Sequence, residues 1–254
     1  MVFQVLISSL GLPLSLFQKF DFPVLVIAQQ SNEEDFISDQ LCYFTFAEKG
    51  LSKSRNRALE RTSAEIALIS DDDVQFVENL EQKVIQAFEA YPKADVLTFN
   101  IKTPEGKPYK SSYRNSAFLH TSSSIYKVSS VEIAFRPARI KQAKIKFDEH
   151  FGLGAEFKSG EEVIFLNDCL KAGLSVMYVP ITVGIHPLES SGKVLDQAYF
   201  RSKGAIVRRL YGFSPGLILG ILFLIKQWLK PTKSISIFNA FQESLKGFLT
   251  SIKH

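Results

Sequence analysis

Five short apolar runs in the first hundred residues, and what lies between them, constrain this fold more than any other feature. Phe3–Ser8, Pro23–Ala28, Cys42–Phe46, Glu65–Ser70 and Val96–Ile101 are each five or six residues long, and most are rich in Val, Ile, Leu or Phe. Such runs bounded by turn residues read as buried strands. Gly50–Arg61 between them is helix-like, with Ser52 or Ser54 as expected N-caps. Val77, Leu80, Val84 and Phe88 recur at three- and four-residue steps, which predicts a second helix that ends at Tyr91-Pro92. Strands alternating with helices give an α/β fold with a mostly parallel sheet and helices on both faces. Ligands then bind beyond the carboxyl ends of the strands.

At one such end stands ALISDDDVQF, where a buried strand delivers Asp71, Asp72 and Asp73 in succession. A helix cap or an Asx turn would use one of them. Three adjacent carboxylates repel one another, and a divalent cation such as Mg²⁺ or Mn²⁺ relieves that, often with substrate phosphates completing its shell. Just upstream, GLSKSRNRAL crowds Lys53, Arg55 and Arg57 into the first turns of a helix, either as a solvated basic face or as a grip on an anionic or planar group. Further on, SGEEVIFL places Gly160 before Glu161 and Glu162 at a helix start. Acids there suit the helix dipole, and one could also serve as a general base. His186 follows a strand in GIHP, as a structural group or a metal ligand.

The rest of the chain sets the context. With 254 residues, it can bury a large core as one α/β domain with or without an appendage. Cys42 and Cys169 are far apart and offer neither a disulfide framework nor metal-ligand spacing, so a reducing, cytosolic compartment is expected. MVFQVLISSL reads as a first strand, not a signal peptide. Residues 103–127 are polar and turn-rich, which predicts a loop or hairpin. Val163, Leu166 and Leu170 mark one face of a helix ending near Gly173, and Ser175–Pro180 is a further strand.

The last fifty residues differ in character. From Arg201 onward there are nine Lys or Arg and one acid, Glu243. Gly212–Ile225 carries no charge and is flanked by Arg208-Arg209 and KQWLK. That is short for a spanning helix, which needs about 20 apolar residues. Phe238, Phe241, Leu245, Phe248 and Ile252 form an amphipathic stripe. Two apolar helices with basic and Trp flanks predict attachment in a membrane interface; the competing reading is that they cap the core or form a dimer contact. Basic charge there suits a phosphate group or an anionic membrane surface.

In order, VLIS, GLSKSRNRAL, LISDDDV and FDEHFGLG followed by SGEEVIFL resemble glycosyltransferase family 2, the inverting nucleotide-sugar transferases with a GT-A fold. The resemblance covers roughly residues 1 to 190 and is nearest to bacterial members that build capsule, exopolysaccharide or lipopolysaccharide. It implies a GT-A catalytic domain over residues 1–205 and a C-terminal helical region over 206–254. It also implies that Asp71 and Asp73 bind Mn²⁺ or Mg²⁺ and diphosphate, with His186 completing the metal site, while Asp72 touches the ribose or stays structural. Arg55 becomes a nucleotide contact, Ser8 and Ser9 line the base pocket, and Arg201 and Lys203 close over the diphosphate. Glu162 stands where the family has its base, usually in a Glu-Asp pair; here Glu161 precedes it. The implied donor is a nucleotide-diphosphate sugar, a UDP-sugar favoured, and the acceptor a glycan or lipid-linked hydroxyl at the inner face of the cell membrane, where the protein is peripheral.

Other classes fit less well. A nucleotidyltransferase needs a Gly-rich, basic loop after the first strand, and SSLGLPLSLFQKF has only Gly11 and a distant Lys19. There is no Gly-x-x-x-x-Gly-Lys-Ser/Thr loop, and the Gly152–Gly154 pair does not follow a first strand. Lys and Arg are not interleaved with aromatics as nucleic-acid binding would require. An inactive membrane-bound scaffold of the same fold, or a nucleotide-sugar-binding protein, is the remaining alternative; the intact acidic triplet and SGEE segment argue against it.

Overall fold

The structure, a computed structural model, describes residues 1–187, 195–228 and 235–250. The strands are β1 (Phe3–Leu10), β2 (Val24–Gln29), β3 (Phe36–Ile37), β4 (Leu41–Phe46), β5 (Ile66–Asp71), β6 (Gln75–Phe76), β7 (Val96–Lys102), β8 (Phe118–Leu119), β9 (Ile133–Phe135) and β10 (Val176–Ile185). The helices are α1 (Leu51–Arg61), α2 (Leu80–Ala90), α3 (Pro137–Gln142), α4 (Glu161–Lys171), α5 (Gln197–Tyr211), α6 (Ser214–Trp228) and α7 (Ile237–Leu249).

All ten strands join one sheet, ordered β3-β4-β2-β1-β5-β9-β7-β10-β6, with β8 on β10. The pairs β4·β2, β2·β1, β1·β5 and β7·β10 are parallel. Between β5 and β7 lies β9, antiparallel to both, so the long strands all run in one direction. Alternation along the strands feeds two cores, one on each face. Leu6, Leu25, Ile27, Ala67 and Ile69 enter the core that contains α1 and α4. Their neighbours Val5, Ile7, Val24, Val26 and Leu68 enter the core packed by Val84 and Phe88 of α2. This double burial is why the runs read as continuously apolar.

Several expectations need adjusting. Ser52 and Ser54 do not cap α1: Gly50 holds the N-cap position. Both serines point inward, Ser52 Oγ donating to the Phe151 carbonyl at 2.6 Å and Ser54 Oγ to Ser8 Oγ at 2.8 Å. Val77 precedes α2 instead of opening it. β9 and α3 were not foreseen; three apolar residues between polar stretches carry almost no periodicity. The last strand continues past Pro180 to Ile185, through register shifts beside Tyr178 and Thr182 that accommodate a residue without an N–H. That extension carries His186 back to the acidic strand end.

The C-terminal region does not begin at residue 206. That boundary falls inside α5, whose Ala205, Ile206 and Leu210 are buried in the core with α4. α7 then packs closely on α5. A Cβ at Gly204 would lie 1.9 Å from the Ser244 carbonyl oxygen, and one at Gly247 would lie 1.9 Å from that of Arg201. Only glycine permits this backbone approach. α6 is different, since Leu217, Ile218, Leu219, Ile221, Leu222 and Ile225 remain exposed. Ile252, expected in the amphipathic stripe, and Leu229 and Lys230 of the KQWLK flank lie outside the described residues.

Candidate active site

The parallel register sets Ser8 beside Asp71, so the carboxyl ends of β1 and β5 open together. They line a cleft of about 330 Å³ with Ser9, Asp72, Asp73, His186 and the glycine-rich turn at Leu153-Gly154. Gln29 at the end of β2 fixes the loop before α1: its Oε1 accepts from the Gly50 amide at 3.0 Å and its Nε2 donates to the Gly50 carbonyl at 3.1 Å. Sequence reasoning missed Gln29, whose partner is 21 residues away.

The three aspartates have three different neighbours. Asp71 accepts from Arg55 Nη2 at 3.0 Å. Asp72 is exposed at the rim, yet the protein wall beside its carboxyl withholds water and raises its pKa. Ser9 and the Leu10 amide oppose that rise, and the charges of Asp73 and Asp71 add to it. Asp73 Oδ1 lies 3.2 Å from His186 Nε2.

That last contact bears on a cation. His186 Nδ1 is 2.7 Å from the Pro187 carbonyl oxygen, an acceptor, so Nδ1 carries the proton. In neutral His186 the Nε2 lone pair then faces the Asp73 carboxylate, and two acceptors oppose each other. A cation between them would relieve this, and imidazole plus carboxylate is a donor set that Mn²⁺ accepts. Among the described residues no group of three or more His, Cys, Asp or Glu side chains is already gathered for a metal. Asp73 and His186 supply two donors, so a cation held there would need the rest of its shell from elsewhere.

Arg55 sits elsewhere than the resemblance implied. Its side chain is only 2% exposed and lines neither cleft. Nη1 donates to Glu161 Oε1 at 2.8 Å while Nη2 holds Asp71. Burial works against its charge, but Asp71 and Glu161 outweigh it and hold the guanidinium pKa above its usual value. Arg55 thus ties the acidic strand end to the start of α4.

Gly160 precedes α4 at φ +105°, and a Cβ there would meet Ile206 Cδ1 at 2.3 Å. The positive φ strains any side chain at that position, and a Cβ would also push Ile206 of α5 aside, so glycine suits the start of α4. Glu161 turns inward to Arg55. Glu162, half-buried, faces a second cavity of about 690 Å³. Burial, with the neighbouring Glu161 charge, pushes its carboxyl well above the usual carboxylate range; the Arg55 charge opposes this. The larger cavity shares Asp71, Leu51, Leu153 and His186 with the first, so the two meet at the strand end.

Lys203 lies in this larger cavity, not in the cleft of the three aspartates. Arg201, expected beside it, is in neither lining; it is exposed with Nη2 3.8 Å from Glu156 Oε1. Lys110, from the polar middle segment, is an unforeseen member, its Nζ 2.7 Å from Glu132 Oε1. Nothing in PYKSSYRNS singles it out, because its place depends on where the loop folds back.

An acidic strand end facing a carboxylate on a helix start, above a sheet whose long strands run together, defines the GT-A class of α/β enzyme. The family model for glycosyl transferase family 2 matches residues 24–155, and the chain belongs to that family and is a glycosyltransferase. No curated protein matches it in sequence. Among solved structures it is similar to Staphylococcus aureus TarS. Against residues 1–349 of TarS in complex with UDP the TM-score is 0.65 at 18% identity, covering 98% of this chain and 81% of that one. The complex of the same fragment with UDP-GlcNAc gives 0.65 at 18%, over 98% and 82%. At that identity the likeness is one of fold.

Proposed function

We propose that this glycosyltransferase moves a sugar from a nucleoside-diphosphate sugar, a UDP-sugar favoured, to a hydroxyl of a glycan or lipid-linked acceptor in cell-surface polysaccharide synthesis. The carrying observation is the meeting of two cavities at Asp71 and His186, one with the acidic triplet and one with Glu162. The first suits the nucleotide and diphosphate, with Ser8 and Ser9 toward the base and Asp72 toward the ribose. The second suits the acceptor.

Asp73 and His186 would hold Mn²⁺ or Mg²⁺, with Asp71 beside them keeping one oxygen beyond its Arg55 bond; bound there, the cation stabilises the departing nucleoside diphosphate. Glu162 takes the proton from the acceptor hydroxyl as its oxygen bonds to the anomeric carbon. The bond from that carbon to the diphosphate oxygen breaks, through an oxocarbenium-like state. A single base with no covalent sugar intermediate inverts the anomeric centre. A raised Glu162 pKa makes it a stronger base once deprotonated, nearer the working pH.

The catalytic unit runs through α5, and the exposed face of α6 supports a peripheral position on the inner face of the cell membrane. The deciding experiment is a panel of nucleotide sugars with Mn²⁺ and with chelator, read by nucleotide release. Release from one UDP-sugar, lost with chelator, is expected. Failure of every nucleotide sugar to bind or turn over rejects the reading.

A further inference from the structure

The polar segment after β7 is tied down by a buried carboxylate. Past Lys102 the chain doubles back: Lys102 pairs antiparallel with Pro108, and the Tyr109 amide donates to the Ile101 carbonyl at 3.1 Å. Glu132, in the turn before β9, has a side chain only 3% exposed. Its Oε1 receives Lys110 Nζ at 2.7 Å and the Tyr113 hydroxyl, and its Oε2 receives the Ser129 amide at 3.0 Å. Lys110 Nζ also donates to the Lys127 carbonyl at 2.6 Å, and the Tyr113 oxygen accepts from the Ile101 amide at 3.2 Å. A buried carboxylate is costly unless its oxygens are paired. Here both are paired, and two of the partners come from the doubled-back segment.

Between this anchor and the acidic strand end stands Tyr109. Its ring meets that of His186 edge to face, centres 5.8 Å apart at 90°. Such a contact depends on orientation and adds to simple burial. Both side chains are half-buried in the wall of the larger cavity. The His186 amide donates to the Lys102 carbonyl at 2.9 Å, so both residues flank the end of β7. An imidazole at a strand end is otherwise free to turn about χ2, and a ring set at right angles against it restricts that turn.

Resting on the transferase reading for its cation alone, we propose that Tyr109 is a positioning residue that keeps the His186 ring turned toward Asp73. Glu132 in turn fixes Tyr109 through Lys110 and Tyr113.

The test uses the full chain in chelator and reads the ring-proton NMR shifts of His186, assigned with His186→Gln. Tyr109→Leu should displace them, and Tyr109→Phe should keep them at the parent positions. Glu132→Gln alone would leave Lys110 without its partner, so it is combined with Lys110→Met, which leaves no unpaired charge. That double variant, and Tyr113→Phe to a smaller extent, should move the shifts toward those of Tyr109→Leu. Mn²⁺ affinity is then measured from the EPR signal of the free ion with UDP present. Tyr109→Leu should weaken it about tenfold or more, as loss of a group that orients a metal ligand does, and Tyr109→Phe should not. Parent shifts in Tyr109→Leu overturn the contact, and parent shifts in the double variant overturn the anchor. Undiminished Mn²⁺ affinity in Tyr109→Leu leaves only packing and overturns the positioning role. No Mn²⁺ binding by the parent would instead remove the cation reading, and the ring shifts, taken in chelator, then decide the positioning by themselves.

Discussion

At the scale of single residues, the division of labour between two adjacent glutamates decides the chemistry. Both line the larger cavity, but Glu161 is held by Arg55 while Glu162 has the raised pKa. Glu162→Gln should lower turnover by about 10²–10⁴-fold, the usual range for a lost general base, with UDP affinity unchanged. Turnover and UDP titration of both variants check this; the same phenotype from Glu161→Gln would move the base. The pH profile follows from the same carboxyl. A base must be deprotonated to act, so activity falls as pH drops through the raised pKa. The midpoint of the acidic limb in kcat/KM should therefore lie well above the ordinary glutamate value of about 4.3. A limb at the ordinary value would mean that another group limits the rate. Arg55 supports a third prediction. Arg55 is buried and pairs with buried Glu161 and part-exposed Asp71, so Arg55→Ala leaves both carboxylates uncompensated and should cost about 3–5 kcal/mol in denaturant unfolding. A cost below about 1 kcal/mol would show that water already screens the pair.

At the scale of elements, the long strands and the helices α1, α2 and α4 were legible because burial periodicity is local. What was not legible depended on distance. Arg55 looked like a ligand contact because its sequence neighbours are basic; its carboxylate partners are 16 and 106 residues away. Asp71, Asp73 and His186 could be grouped from sequence, but that Asp73 faces His186 depends on β10 running past Pro180. The short β9 gave no signal, although it occupies the middle of the sheet. The contact between α5 and α7 was hidden as well, since Gly204 and Gly247 look like mild helix breakers. Their role is proximity, and it predicts a strong effect from small changes. Gly204→Ala places a methyl where the Ser244 carbonyl stands, so thermal unfolding should show a loss of about 1–3 kcal/mol, the ordinary cost of overpacking. An unchanged Tm would mean that α7 can shift away at little cost.

At the scale of the whole molecule, the question is what covers α6. Among the described residues no helix is long and apolar enough to cross a membrane. α6 has fifteen residues, about 22 Å at 1.5 Å each, against a hydrocarbon core of about 30 Å. Its exposed side chains line the outside of a helix that packs on α5 and α7. An exposed apolar strip with basic residues around it matches an interfacial helix, which dips an apolar face among the head groups while Lys and Arg meet anionic lipid. Full burial of a Leu or Ile side chain is worth about 1.5–3 kcal/mol, and shallow insertion realises a fraction of that. Replacing Ile218, Leu222 and Ile225 together with Gln should therefore reduce binding to vesicles containing anionic lipid by on the order of 10²-fold, while UDP affinity and Tm stay near those of the parent. Co-sedimentation across a salt series separates the two contributions, because the basic part weakens with ionic strength and the apolar part does not. Vesicle binding that survives the triple replacement would move the attachment away from α6. A concentration-dependent dimer that disappears with it would show that a second copy of the chain covers this face.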